Sequence, residues 1–212
     1  MNTDELIRAI VADNPTMRPP IRRTLAVALA LGTAAAAVIF IASLGARSDF
    51  WWSIVHSPRF AFKFVFTLAV AVPAFFIVRN LMRPDAGVGA AWVLAIPFVM
   101  LAAAVAAEMI HLPRDHWAVY AVGSNALYCV SLIPFLALAP LIATFYALKQ
   151  GAPANPAAAG ALGGLLSAAI GATLYAAHCS DDSPLFVSIW YPIGMALVTL
   201  AGAVLGARLL RW

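Results

Sequence analysis

Charge is what this chain has least of. Of its 212 residues, 10% are Asp, Glu, Lys or Arg, where a soluble domain carries roughly 25%. Hydrophobic residues make up 64%. A water-soluble fold of this size is excluded, because so much apolar surface would leave large exposed patches. The net charge of +4 is small, and the basic residues stand at the ends of apolar runs rather than in a patch. Direct nucleic-acid binding is therefore not expected. Cysteine is nearly absent: there are two, with no Cys-x-x-Cys. A membrane thiol–disulfide enzyme relays electrons through two pairs or that motif, so the parts for one are missing. No polar segment is long enough to form a catalytic domain, no catalytic residues are recognised, and an enzyme is not expected. The first apolar run begins near Leu25 after a polar start and is too long for a signal-peptide core. It reads as a span that doubles as an uncleaved targeting signal.

What is present is a series of long apolar runs. A spanning helix needs about 20 mainly apolar residues, and six runs qualify: Leu25–Leu44, Phe60–Met82, Val88–Ile110, Asn125–Leu148, Pro156–Ala177 and Phe186–Ala207. The fold class is all-α, a polytopic transmembrane bundle of six helices with a short N-terminal cytoplasmic helix. Residues 1–24 form the arm, 25–207 the membrane domain and 208–212 a short basic tail. Lys and Arg excess marks the cytoplasmic side. With the N-terminus inside, Arg8, Arg18, Arg22, Arg23, Arg79, Arg83, Lys149, Arg208 and Arg211 lie inside, while Arg47, Arg59, Lys63 and Arg114 lie outside. This bias predicts a multi-pass protein with both termini in the cytoplasm. Arg59 and Lys63 are discordant, and snorkelling to the outer surface would accommodate them. The six tryptophans fall at or near span ends, as in an interfacial belt.

Span five carries two rows of small residues at four-residue spacing. Gly160, Gly164, Ala168 and Ala172 form one, and Gly163, Ser167 and Gly171 the other. Such rows let helix backbones approach closely, either within the bundle or in a homo-oligomer.

The arm begins with a cappable helix. Asn2 precedes Glu5 at the spacing of a capping box, and Asp4 and Glu5 suit the positive helix start. Leu6, Ile7, Ile10 and Val11 share one face, and Asn14-Pro15 stops the helix. A helix this short is marginal in water, so its apolar face needs cover. Two covers fit: the inner membrane surface, or the groove of a partner protein.

At the opposite, outer side, polar residues gather near span ends. Glu108 and His111 close span three, Cys129 lies one turn into span four, and His178-Cys179 followed by Asp181-Asp182 closes span five. Three readings of the cysteines stand side by side. They form a structural disulfide, which the oxidising outer face permits. They form a redox or metal sensor, with Cys129, Cys179, His178, His111 and Glu108 as candidate donors to a transient heavy-metal ion. Or they are unrelated small apolar residues. Glu108 is the only acidic residue within a span. A transporter would use such a charge, but it lies near an end and no inverted repeat is evident.

Several segments resemble a known family. Thr3-Asp4-Glu5-Leu6-Ile7, Asn125-Ala126-Leu127-Tyr128-Cys129, His178-Cys179-Ser180-Asp181-Asp182-Ser183-Pro184-Leu185-Phe186-Val187, Trp190-Tyr191 and the basic tail are similar to the NrsF family of membrane-bound anti-sigma factors. The resemblance covers essentially the whole chain. It implies a six-helix protein that holds an extracytoplasmic-function sigma factor at the bacterial inner membrane. It also implies that Cys129 and Cys179 take part in the response to heavy-metal or oxidative stress. A small-solute or metal-ion transporter is the alternative expectation.

Overall fold

The computed structural model describes residues 2–12 and 21–210, without the side chains of 10–12, 21 and 22. Among these residues the secondary structure is entirely helical. Six helices are long and apolar enough to cross a membrane. Helix α1 spans Thr3–Ala12 and α2 spans Ile21–Ser43. A short α3, Phe50–His56, precedes α4, Pro58–Leu81. The third crossing opens as a 3-10 segment, Val88–Leu94, and continues as α5, Ala95–His111. A one-and-a-half-turn α6, Trp117–Val122, precedes α7, Ala126–Leu148. Helices α8, Pro156–Ala176, and α9, Pro184–Leu209, complete the bundle. Each crossing lies within a few residues of its expected span, because lipid demands an unbroken apolar run of fixed length.

The span starts follow local rules. Ser57, Asn155 and Ser183 accept hydrogen bonds from the first turns of α4, α8 and α9, and each of these helices has Pro in that turn. Proline is tolerated there because its missing N–H has no intrahelical partner to lose.

The small-residue rows of α8 are both used inside the bundle. Gly160 and Gly164 lie against the backbone of α9 at Gly202, Gly206 and Val198, where any Cβ would collide. Gly163 and Gly171 meet α7 at Thr144, Leu148, Ile133 and Ala137. Ser167 Oγ lies 3.4 Å from Thr144 Oγ. Helix α8 is thereby the central post between α7 and α9, and the rows are occupied without a second copy. On the other side of α7, Gly32 sets α2 against Ala139 and Ala143.

Span three is the least embedded: its best apolar stretch is 17% buried, against 56% for α8. It is tied to the rest by Leu94 and Leu101, by Phe98 edge-on to Phe66, and by the polar contacts of Glu108. At the far end from the cysteines, Ala152 N donates to Met82 O, joining the loop after α7 to the end of α4.

The arm forms its helix. Asn2 N donates to the Glu5 carboxylate, which supplies half of the expected capping box, and Asp4, Glu5, Leu6 and Ile7 are exposed. The side chains of Ile10 and Val11, the stop at Asn14-Pro15, and Arg18, Arg211 and Trp212 lie outside the described residues. Trp51, Trp52 and Trp92 are exposed as a belt requires. Trp190 departs from the belt: its Nε1 donates to Ala121 O and ties α6 to α9.

Candidate functional site

All six crossings converge at one end of the bundle. The loop before α3, the first turns of α4, α7 and α9, and the last turns of α5 and α8 meet there. Cys129 comes from the first turn of α7 and Cys179 from the segment between α8 and α9. Both thiols are free and fully buried, and they lie within hydrogen-bonding reach of each other. Tyr175 and Tyr191 flank them, with ring centroids 6.1 Å apart. The Tyr191 hydroxyl is buried without a hydrogen-bond partner, and the two sulfurs are the only candidates for that of Tyr175 among the described residues. An orphaned buried hydroxyl costs roughly 1–3 kcal/mol, so this end holds a polar group that the fold leaves unmatched.

Lys63 does not snorkel to the surface. It is fully buried, one and a half turns into α4. Its Nζ donates to Cys179 O at 2.7 Å and pairs with Asp182 at 2.6 Å. A second contact reaches Asp181 O at 3.5 Å, and Cys179 Sγ lies 3.8 Å from that same carbonyl. The ammonium and the thiol therefore share one acceptor. Asp182 also pairs with Arg47 at 2.9 Å, and Arg47 with Asp49 at 2.6 Å. The Arg47 guanidinium holds the Asp49 carboxyl well below its usual range. Burial of a charge is expensive unless it is paired, and this chain of alternating charges supplies the pairing. The thiol of Cys179 is pulled below its ordinary pKa, first by the hydrogen bond from Cys129 and then by the charge of Lys63, against the opposing effect of burial.

The segment between α8 and α9 is held at four more points. Asp181 accepts from the backbone N–H groups of Ser124 and Asn125, at 3.0 and 2.8 Å, and so fixes the turn that leads into α7. His178 Nδ1 bonds Gly45 O at 3.0 Å. Glu108 Oε2 accepts from Ser183 Oγ at 2.6 Å and Leu185 N at 3.1 Å. Glu108 Oε1 pairs with Arg59 at 3.2 Å. Gly123, with φ of +60°, turns the chain tightly under Phe186 and Asp181.

The expected donor set thus divides. Cys129 and Cys179 come together. His178 turns to Gly45, Glu108 is consumed by Ser183, Leu185 and Arg59, and His111 is exposed. Among the described residues no three His, Cys, Asp or Glu side chains gather as a metal site. An open cavity of about 500 Å³ is lined in part by Arg59, Ser124, Ser180, Asp181 and Asp182, the residues that follow Cys179 among them.

A family described as NrsF, negative regulator of sigma F, matches residues 11–212. The chain belongs to the NrsF family. The anti-sigma-F factor NrsF of Caulobacter vibrioides is 33% identical over 215 residues, covering both chains fully. A probable anti-sigma-F factor NrsF of Azospira oryzae is 30% identical over 216 residues, again over both full lengths. No solved structure matches. The segments that resemble NrsF proteins, 125–129 and 178–187, are the ones that build the thiol end. The family match starts at residue 11 and leaves most of α1 outside it.

Sequence reasoning left out Tyr175, took Lys63 as a snorkelling residue and met Tyr191 only within a family segment. Lys63 carried a signal, since it stands inside the apolar run of span two on the side where basic residues are scarce. The tyrosines carried none, because an aromatic residue near a span end reads as belt or core.

Proposed function

We propose that this chain is a membrane-bound anti-sigma factor of the bacterial inner membrane, with both termini in the cytoplasm. It holds an extracytoplasmic-function sigma factor through α1 and the adjoining cytoplasmic surface. It releases that factor when oxidants outside convert Cys129 and Cys179 from thiols to a disulfide. Membership of the NrsF family and the chain's similarity over the full length to an anti-sigma-F factor and a probable one support the regulatory role. The observation that carries the sensing role is the thiol pair: two cysteines about 50 residues apart in sequence are buried together at one end of the bundle, the end that the charge bias assigns to the outside. Bridging them would fasten the first turn of α7 to the segment that α4, α5 and α9 also hold.

The metal reading is weaker on this geometry. Among the described residues no His or carboxylate joins the two thiols as a third donor. The transport reading is weaker too, since Glu108 is committed to Ser183, Leu185 and Arg59. A switch from 1:99 to 99:1 needs about 5.5 kcal/mol of differential stabilisation. A disulfide typically contributes 2–4 kcal/mol, so the resting preference must be modest or the loss of thiol contacts must add to it.

The test is sigma-dependent transcription in cells carrying Cys129→Ser or Cys179→Ser, with and without peroxide. Each variant should lose the induction. If both respond like the wild type, thiol sensing is wrong. Removing residues 2–12 should raise basal transcription severalfold, and unchanged repression would remove α1 as the contact.

A further inference from the structure

We propose that Lys63 makes the two thiols unequal, so that Cys179 is the attacking sulfur and Cys129 the resolving one. This rests on the thiol-sensing reading above but adds a positioning residue and an order of events.

The argument starts from burial. A lysine inside an apolar run is costly, and here it is fully enclosed at 0% exposure. A lysine needed only for topology would reach for water. This one turns inward and binds the backbone of Cys179 itself at 2.7 Å. Its Nζ and the Cys179 Sγ both lie on Asp181 O, at 3.5 and 3.8 Å. Cys129 sits in the first turn of α7; the Lys63 charge reaches it too, but among the described residues its thiol makes no hydrogen bond to Asp181 O and its carbonyl none to Lys63. A thiolate, not a thiol, is the nucleophile, and a fixed cation beside one sulfur favours its ionised form.

The other groups facing Cys179 are accounted for. Tyr175 on α8 and Tyr191 on α9 also face the sulfurs, and the Tyr175 hydroxyl has both sulfurs within reach. Asp181 is spent on Ser124 and Asn125, and Asp182 is shared between Lys63 and Arg47. From the loop before α3, Arg47 adds a second cation behind Asp182, and His178 is turned to Gly45. The sulfurs have no outward exposure. A small neutral hydroperoxide entering through the cavity beside Ser180 suits this enclosure better than a large or charged oxidant.

The chemistry balances as a two-electron oxidation. The Cys179 thiolate attacks an oxygen of the hydroperoxide, and an S–O bond forms as the O–O bond breaks. The leaving alkoxide or hydroxide takes up a proton, leaving Cys179 as sulfenic acid. The Cys129 sulfur then attacks Cys179, the S–S bond forms, the S–O bond breaks, and water leaves with the Cys129 proton. Two thiols are oxidised and one hydroperoxide is reduced.

The experiment uses the purified full chain, hydrogen peroxide as oxidant and dimedone to trap sulfenic acid, read by peptide mass spectrometry. Cys129→Ser should accumulate the adduct at Cys179. Cys179→Ser should give at least ten-fold less at Cys129. Adding Lys63→Met to Cys129→Ser should slow labelling at pH 7 by ten-fold or more and move its pH midpoint up by at least one unit. Lys63→Arg should keep the rate within about three-fold. Should Lys63→Met fail to fold, Asp182→Asn decides in its place, because removing that counter-charge should move the midpoint down. Equal labelling of the two cysteines, or an unchanged pH profile in Lys63→Met or Asp182→Asn, overturns the proposal. The two readings fail separately. Indifference of the cellular response to both cysteines sinks the sensing role and leaves this order intact. A cysteine-dependent response without the order does the reverse.

Discussion

Single residues at the crossing of α8 and α9 fix how close two spans stand. Gly160 has no room for a Cβ, since Gly202 and Gly206 backbone atoms fill the space. Gly160→Leu should therefore force the helices apart at a cost of at least about 1–3 kcal/mol, seen as a lower unfolding temperature in detergent. Gly89, with nothing within 4 Å of its would-be Cβ, is the matched control. Gly89→Ala should change stability by no more than about 0.5 kcal/mol. Residue by residue, the small rows of α8 were readable in the sequence, since spacing of four places them on one face. Which neighbour each row met was not, because spacing does not name a partner. The same limit applies to polar residues. Cys129 and Cys179 were readable as a pair because the chain has no other cysteine. His178 and Glu108 were misassigned to them, since their true partners, Gly45 O and Leu185 N, are backbone groups that no sequence pattern marks.

Among elements, span three stands apart. Hydropathy gives it the same standing as its neighbours, yet little of it is covered by protein. Its C-terminal end is fastened through Glu108 to Ser183, Leu185 and Arg59, so a polar clamp adds to the few apolar contacts of Leu94, Leu101 and Phe98. Glu108→Ala should remove the clamp, leave Arg59 half exposed without its partner, and cost about 1–3 kcal/mol. The loop at 112–116 should then be cut faster by added protease, while α8 and α9 keep their protection. Equal cleavage in variant and wild type would show that α5 is held by something other than this clamp. The short α3 escaped the sequence reading altogether. Seven residues are too few for a periodic signal, and the Trp51-Trp52 pair reads equally well as a belt.

For the whole molecule, the six crossings were the clearest thing in the sequence, and the charge bias gives an expected direction. Both depend on sums over many residues, which local errors do not disturb. The direction is open to a direct check. Alkaline phosphatase fused after residue 115 should be active, and fused after residue 208 inactive, because the enzyme matures only outside the cytoplasm. The reverse pattern would put the thiols inside and remove the basis of the sensing role. With the expected pattern, oxidant chemistry and sigma-factor binding sit on opposite sides of the bilayer. Helix α4 joins them: Lys63 lies at one end, and at the other Met82 O takes a hydrogen bond from Ala152.

The burial of Lys63 also sets a schedule for making the protein. Its partners at 179–182 emerge from the ribosome 116 or more residues after it. At about 5–20 residues per second, that is an interval on the order of ten seconds. During it, span two carries a charge that the finished bundle neutralises but the nascent one does not. The second crossing therefore waits at the translocation machinery, or sits shallow in the bilayer, until the fifth and sixth arrive to enclose it. Truncated chains ending before residue 179 should be degraded early, and the quality control of this protein would read whether the thiol end has closed.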